Sequence, residues 1–205
     1  MAPLVFLVDD DASVRRSLER VLRQAGHRVE SFASAREFLA SDRHVGATAC
    51  LLLDLFMPGL DGLALQAELK RLDAAIPIIF ITGNGTVPHS VLAMKAGAFD
   101  FLPKPVAAAV LLESVRAALD FASQARAEHE RMQAMRAVEE RLTRREREVM
   151  ALVVEGLLNK QVAGELGVSE KTVKIHRARV MEKTEARTLP DLVRFAARLG
   201  IPAAS

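Results

Sequence analysis

The first 105 residues alternate between short apolar runs and segments in which apolar positions recur at helical spacing. Short runs rich in β-branched residues are typical of strands that are buried on both faces. The runs predict five strands, at Leu4–Val8, His27–Phe32, Cys50–Leu53, Ile76–Ile81 and Phe99–Leu102. The intervening segments predict helices at Val14–Ala25, Ala35–Ala40, Leu63–Leu72 and Val87–Ala96. This alternation predicts an α/β fold with a five-stranded parallel, doubly wound (flavodoxin-like) sheet. For such a sheet we expect the common strand order 2-1-3-4-5, which makes strands 1 and 3 neighbours.

The second half of the chain predicts helices only. Between Pro105 and Gly156 there is no glycine or proline, so we expect the last helix of the α/β domain to continue into a helical linker. Shorter helical patterns follow, at Thr143–Glu155, Asn159–Leu166, Ser169–Thr184 and Leu189–Leu199. Thr143 and Glu146 have the spacing of a capping box. The predicted organisation is an α/β domain (1–120), a helical linker (121–141) and a small all-α domain (142–205).

Composition excludes several classes of protein. Half of the residues are hydrophobic, which is enough for a packed core, and the single cysteine, Cys50, rules out an internal disulfide framework. No basic segment precedes the first apolar run, so we expect no signal peptide, and no apolar stretch is long enough to span a bilayer. We therefore expect a cytoplasmic protein. Residues 142–205 carry 12 Lys and Arg against 8 Asp and Glu, which favours a polyanionic partner for the all-α domain.

Polar residues that could bind a metal or take part in a reaction follow the predicted strands. Asp9, Asp10 and Asp11 follow the first strand, Asp54 closes the third, and Thr82 and Lys104 follow the fourth and fifth. In a doubly wound sheet the carboxyl ends of the strands meet at one edge, so we expect the acids of strands 1 and 3 to converge. Three carboxylates in one crevice repel each other, and a hard divalent cation such as Mg²⁺ (or Mn²⁺) would relieve the repulsion. Asp54 could then attack a phosphorus atom and form an acyl phosphate beside Lys104.

Four segments carry a family resemblance: VDDD at 8–11, LDLFMPGLDG at 53–62, ITGNG at 81–85 and AMKAGAFDFLPKP at 93–105. Together they resemble the receiver domains of two-component response regulators, with the NarL/FixJ group as the nearest match. The resemblance implies that Asp54 is the phospho-acceptor, that Asp10 is a direct metal ligand with Asp9 behind it, and that Phe56 binds the metal through its backbone carbonyl. It also implies that Thr82 and Phe101 are paired switch residues. Lys104 would be the phosphoryl-binding lysine, with a cis bond to Pro105.

The resemblance also implies partners. A sensor histidine kinase would supply the phosphoryl group. Our hypothesis is that the phosphorylated chain forms a homodimer through a face that includes Val91, Lys95 and Asp100. Phe56 and Asn84 stand where polar side chains are frequent in such domains, so we expect them to tune the access of water to the acyl phosphate. Asp11 is expected to be solvated and not to bind the metal.

The pattern from Asn159 to Thr184 predicts a helix, a tight turn and a second helix capped by Ser169. One side of the second helix is its expected core side, formed by Val173, His176 and Val180. The opposite side suits a DNA major groove. It carries Lys171, Lys174, Ile175 and Ala178, flanked by Arg177, Arg179 and Lys183.

The segments LTRREREV at 142–149, GLLNKQVA at 156–163 and LGVSEKTVKIHR at 166–177 resemble the LuxR-type helix-turn-helix. The resemblance implies binding to double-stranded DNA, with Lys160 and Thr172 on phosphates and with Lys174, Ile175 and Ala178 facing bases. RNA polymerase is a further expected partner. Thr184 replaces the apolar residue usual at its position.

Two other functions stay open at this point. One is a Mg²⁺-dependent phosphatase or phosphotransferase, although such enzymes usually carry a second acid two residues after the nucleophile, where this chain has Phe56. The other is a DNA-binding protein with a vestigial receiver. The intact set of Asp9, Asp10, Asp54, Thr82 and Lys104 argues against this alternative. We expect no substrate turnover.

Overall fold

The computed structural model describes residues 4–41, 48–74, 76–83 and 87–201. The chain divides into two compact units, Met1–Arg126 and Ala127–Ser205, which are described separately below. The limits expected for the linker, 121–141, stay a prediction. No helix in the described ranges is both long enough and apolar enough to cross a membrane.

The first unit contains a five-stranded parallel sheet. Its strands are β1 (Leu4–Val8), β2 (Arg28–Phe32), β3 (Ala49–Asp54), β4 (Ile78–Thr82) and β5 (Asp100–Pro103), in the spatial order β2-β1-β3-β4-β5. All neighbouring pairs are parallel. The predicted fold class and strand order are therefore confirmed, and no strand limit differs from its predicted position by more than two residues.

Helices cover both faces of this sheet: α1 (Ala12–Gln24), α2 (Ala35–Ala40), α3 (Gly62–Arg71), α4 (Val87–Lys95) and α5 (Ala108–Glu140). Alternate strand residues enter two separate cores. One contains Phe6, Leu51 and Phe80, and the other contains Leu7, Cys50 and Ile79. Because both faces are covered, the central strands are apolar except at their last residues, Asp54 of β3 and Thr82 of β4. Burial raises the pKa of the Cys50 thiol to about 12, so this cysteine is a packed, protonated core residue.

Helix α5 extends as one helix from Ala108 to Glu140, as the absence of glycine and proline predicts. The buried residues of this helix recur at helical spacing and end at Ala122; they are Leu111, Ser114, Val115, Ala118, Leu119 and Ala122. The second half of the helix therefore depends more on the helix propensity of its residues than on burial.

The second unit is helical. It contains α6 (Arg144–Val154), α7 (Asn159–Leu166), α8 (Glu170–Thr184) and α9 (Leu189–Arg198). The buried core is formed by Leu142, Val149, Met150, Val153, Val162, Ala163, Val173, Val180 and Leu192. The predicted capping box of Thr143 and Glu146 is present at the start of α6. Thr184, which stands where an apolar residue is usual, donates from its hydroxyl to the Val180 carbonyl at 2.7 Å.

Candidate phosphoryl-acceptor site and DNA-binding surface

The acids of β1 and β3 converge at the carboxyl edge of the sheet. The two strands are neighbours, and their register pairs Val8 with Leu53, so the next residues, Asp9 and Asp54, lie side by side. One carboxylate oxygen from each of Asp9, Asp10 and Asp54 lies within 4.8 Å of the other two. The convergence expected from the sequence is therefore present, although more than forty residues separate these acids along the chain.

Lys104 contacts two of the three acids. Its Nζ lies 2.7 Å from Oδ2 of Asp9 and 3.3 Å from Oδ1 of Asp54. Its backbone N–H donates to the Thr82 carbonyl at 2.8 Å, and the bond to Pro105 is cis. Burial disfavours the charged lysine, but the hydrogen bond to Asp9 and the charges of both acids outweigh burial and raise the pKa of Lys104. The lysine is therefore a stable cation at this site.

One ammonium group does not balance the charge of three carboxylates. Burial raises the pKa of Asp54, and the nearby charge of Asp9 adds to the increase, while Lys104 opposes it. Because Lys104 lies closer to Asp9 than to Asp54, it compensates the charge of Asp54 only in part. A set of carboxylate oxygens with surplus negative charge is the donor set that a hard divalent cation prefers. The residues present therefore fit Mg²⁺.

The two acids of β1 differ in their environment. Asp9 is 1% exposed, and its carboxylate oxygens accept hydrogen bonds from the Asp11 backbone N–H at 2.8 Å and from Lys104. Asp10 is exposed, and we find no hydrogen bond or ion pair for its carboxylate within the described part of the chain. Asp10 is thus the freer of the two to take a ligand. Asp11 is solvated, as expected, but it also caps α1 by accepting from the backbone N–H of Ser13 and Val14.

The two expected switch residues lie on neighbouring strands. Thr82 is buried at the end of β4, and Phe101 of β5 is half-buried against the core beneath α3 and α4. The ring of Phe101 lies 6.3 Å from that of Phe80, which is paired with it in the sheet. The Thr82 and Phe101 side chains are therefore placed on adjoining strands, two positions apart in register.

Phe56 is 43% exposed, and its ring meets the ring of His89 on α4 edge to face at 5.2 Å. Sequence reasoning missed this contact, because nothing in the pattern of α4 distinguishes His89 from a solvated residue. Asn84, expected to act with Phe56, lies outside the described residues.

The expected dimer face is divided between two elements. Val91 and Lys95 are exposed on α4, together with two other large apolar side chains, Leu92 and Met94. Asp100 is half-buried, and its Oδ2 accepts a hydrogen bond from the hydroxyl of Ser114 on α5 at 2.6 Å. Its carboxylate is thus already engaged within the chain, and the dimer face stays a prediction.

The second unit contains the expected helix-turn-helix. Helix α7 ends at Leu166, and the next residue, Gly167, has a positive φ of 64° that suits glycine. Ser169 caps α8 by accepting from the Thr172 backbone N–H. Val173 and Val180 are buried and His176 is half-buried, so these residues form the core side of α8. Among the expected DNA contacts, Thr172 is half-buried and the others are exposed: Lys160 on α7 and Lys171, Lys174, Ile175, Ala178 and Arg179 on α8.

Two cations flanking this surface are held within the unit. Arg177 donates to the side-chain oxygen of Asn159, the first residue of α7, at 3.1 Å. Lys183 donates to the buried Glu146 carboxylate at 2.6 Å and to the Arg141 carbonyl at 3.0 Å. The sequence shows only that both residues flank the side of α8 that carries Lys171 and Lys174. Their contacts come from α7, α6 and the segment before it, and they leave these two cations less available to DNA.

The contacts of Glu146 predict that acid destabilises the second unit. Burial alone would raise its pKa, but hydrogen bonds from Lys183 and from the Thr143 backbone outweigh burial and lower the pKa. A carboxyl group whose pKa is lower in the folded than in the unfolded state stabilises the fold at any pH above its unfolded pKa, which is about 4.3 for glutamate. That stabilisation is lost as the pH falls through the pKa of the folded state. We expect Glu146→Gln to lower the melting temperature of the second unit at pH 7 and to flatten its dependence on pH below about 4.3.

Calorimetric melting of the full chain at several pH values tests this expectation. Glu165→Gln, at an exposed position of α7, is the matched control and should behave as wild type. A Glu146→Gln protein with the wild-type acid profile would show that the ion pair contributes nothing.

The fold and the two sites together define the class of protein. The family model for the response regulator receiver domain matches residues 5–116, and the model for bacterial regulatory proteins of the luxR family matches residues 140–196. The chain belongs to the response regulators: it is a two-component response regulator with a receiver domain and a LuxR-type DNA-binding domain. The resemblance inferred from the sequence is thereby confirmed.

Relatives match over nearly the full length. Nodulation protein W of Bradyrhizobium diazoefficiens is 50% identical over 200 residues, which are 98% of this chain and 88% of that protein. FixJ of Rhizobium meliloti is 43% identical, covering 94% of each chain. Among solved structures, the response regulator StyR has a TM-score of 0.89 and 43% identity over 97% of this chain and all of that one. Full-length FixJ from B. japonicum has a TM-score of 0.59 and 38% identity over 98% of each chain.

Proposed function

We propose that this response regulator is switched by phosphorylation of Asp54 and that the phosphorylated form dimerises and binds specific DNA sites in the cytoplasm to regulate transcription. The observation that carries the proposal is the contact of Lys104 with both Asp9 and Asp54 in a crevice where Asp10 contributes a third carboxylate. This arrangement provides a buried carboxylate beside a fixed cation, which is what an acceptor of a phosphoryl group needs.

The phosphoryl donor in the proposal is a phosphohistidine on a sensor histidine kinase. A carboxylate oxygen of Asp54 forms the new P–O bond as the P–N bond breaks, and the imidazole leaves neutral because its other ring nitrogen carries a proton. Asp10, Asp54 and the Phe56 carbonyl would hold Mg²⁺ (or Mn²⁺), and Asp9 would act behind them. When bound, the cation supplies positive charge against the phosphoryl oxygens. Lys104 neutralises a further oxygen, and Thr82 donates a hydrogen bond.

The switch in the proposal is a local change of charge and packing. Thr82 moves toward the phosphoryl group, and Phe101 enters the space that Thr82 leaves. The surface of α4 and β5 around Val91, Lys95 and Asp100 then becomes a dimer face, which the exposed apolar residues of α4 favour. Dimerisation brings two DNA-binding domains to two half-sites and multiplies their separate affinities. RNA polymerase is the expected partner downstream.

Substitution of the acceptor tests the switch. The chain is incubated with acetyl phosphate and Mg²⁺, and acyl phosphate is measured on phosphate-affinity gels. Sedimentation with and without beryllofluoride reports dimerisation. We expect Asp54→Asn to abolish both responses, because an amide neither attacks phosphorus nor binds the cation as a carboxylate does. Chelation of Mg²⁺ should abolish phosphorylation of wild type. An Asp54→Ala protein that dimerises and binds DNA like activated wild type would refute the proposal.

Substituting two lysines of the DNA-binding surface, one at a time, distinguishes contacts with bases from contacts with phosphates. A specific site is first located by footprinting DNA that flanks the protein's own gene. Lys174→Ala should weaken binding to that site by about tenfold and relax the base preference, because Lys174 faces bases in the proposal. Lys160→Ala should weaken specific and nonspecific binding alike. It should also reduce, by about one, the slope of the logarithm of the binding constant against the logarithm of the salt concentration. Equal effects of the two variants on every sequence would contradict the assigned roles.

A further inference from the structure

Arg15 contacts the metal-site turn through the turn's backbone. It is the fourth residue of α1, and its Nη1 lies 2.6 Å from the backbone carbonyl oxygen of Asp9. The guanidinium therefore donates to the peptide that joins Asp9 to Asp10. Neither the motif at 8–11 nor the helical pattern of α1 assigns a role to this arginine, and its side chain is half-buried, unlike those of the exposed Arg16 and Arg20 on the same helix.

The orientation of that peptide matters most for Asp10. Asp9 is held by its own side chain, because both carboxylate oxygens accept hydrogen bonds. Asp10 is exposed, and within the described ranges its carboxylate has no partner that could hold it. The direction of the Asp10 side chain is therefore determined by the backbone from which it leaves. The donor that restrains the preceding peptide is Arg15.

We propose that Arg15 is a positioning residue for the metal site: by holding the Asp9–Asp10 peptide it directs the Asp10 carboxylate toward Asp54. The proposal rests on the function proposed above, since it assumes that these carboxylates bind Mg²⁺. Groups that orient metal ligands from behind typically change metal affinity by about 10- to 100-fold when they are removed.

The charge of Arg15 acts in the opposite direction. A guanidinium near the site repels a divalent cation, so removing it would by itself tighten Mg²⁺ binding. Asp10 is exposed and Arg15 is only half-buried, so solvent and salt weaken the repulsion between the guanidinium and a cation held by Asp10. The orienting hydrogen bond is short and local, so its loss determines the sign of the effect. Arg16 offers a control for charge, because it lies on the same helix, is exposed, and has no side-chain hydrogen bond within the described residues.

The test is calorimetric titration of MgCl₂ into the unphosphorylated full chain. We expect Arg15→Ala to weaken Mg²⁺ binding by about tenfold. Arg15→Lys keeps the charge and one donor and should recover most of the affinity, while Arg16→Ala should stay within about twofold of wild type. The phosphorylation rate of Arg15→Ala from acetyl phosphate should return to the wild-type value at saturating Mg²⁺, because only the positioning of a ligand is lost. Thermal melting in chelator identifies any variant that fails to fold, in which case Arg15→Gln replaces Arg15→Ala.

Two results would overturn the inference. One is Mg²⁺ binding by Arg15→Ala that equals or exceeds wild-type binding. The other is a loss of phosphorylation rate that persists at saturating Mg²⁺. Failure of the proposed function gives a different pattern, because wild type itself would then bind no Mg²⁺ and accept no phosphoryl group.

Discussion

Replacing Gly62 with alanine is expected to destabilise the receiver domain by roughly 3 kcal/mol or more, which is at the upper end for overpacking of a core. Gly62 begins α3 and is buried against the end of β3. A Cβ at this position would lie 2.5 Å from the Asp54 carbonyl oxygen, 3.0 Å from the Leu55 Cα and 2.9 Å from the ring of Phe80. Two of these atoms belong to the backbone, so the clash is relieved only if α3 or the peptide of the phospho-acceptor moves.

The same substitution should therefore impair the acceptor site. The Gly62 backbone N–H donates to the Leu55 carbonyl at 3.0 Å, which ties the start of α3 to the loop that leaves Asp54. Displacing either end shifts the carboxylate relative to Lys104 and Asp9. We expect phosphorylation from acetyl phosphate to fall at least tenfold in any Gly62→Ala protein that still folds, since small misplacements of reacting groups cost about this much or more.

Differential scanning calorimetry is the suitable measurement, because the chain has no tryptophan or tyrosine to report unfolding by fluorescence. The receiver transition of Gly62→Ala should move down by about 10 °C. Gly164→Ala is the matched control, because a Cβ at that helical position meets nothing within 4 Å. The control should be neutral or slightly stabilising. An unchanged receiver transition in Gly62→Ala would contradict the close approach of α3 to β3.

Replacing Lys104 with methionine is expected to have the second large effect. It removes the ammonium from two carboxylates that are almost fully buried, and breaking such a pair from one side costs roughly 3 kcal/mol or more. The effect should be greatest in chelator. The raised pKa of Asp54 already reflects the cost of holding its charge in this crevice, and loss of Lys104 would increase that cost. Added Mg²⁺ should restore part of the stability, because it binds only the folded arrangement of acids.

The same variant should also lose most of its phosphorylation rate. Removing one preorganised donor from a site where charge develops typically costs about 100-fold in rate. Phosphorylation of Lys104→Met is compared with that of Lys70→Met, an exposed lysine of α3 that serves as control. Melting of both variants is measured in chelator and in Mg²⁺. Wild-type phosphorylation kinetics in Lys104→Met would eliminate Lys104 as the phosphoryl-binding residue.

Much of the receiver fold and of its acceptor site follows from sequence pattern. Strands that helices cover on both faces can be recognised in the sequence as apolar runs. The acids of the site can be recognised because parallel strands end at one edge of the sheet, where these acids follow the runs. Asp9, Asp54, Thr82 and Lys104 each directly follow or close such a run, so their convergence required only the strand order. The helix-turn-helix was equally accessible, since Gly167 and Ser169 mark its turn.

The tertiary structure alone decided which side chains meet across elements. Arg15 reaches the Asp9 carbonyl, His89 meets Phe56, and Lys183 pairs with Glu146 across 37 positions of the chain. Periodicity assigns a residue to a face of its own helix, but a contact also depends on side-chain length, rotamer and the register between elements. The sequence therefore determined where the chemistry lies and which residues carry it. The packing of the elements decided how those residues are held, because the supporting partners are distant in sequence and have ordinary spacing.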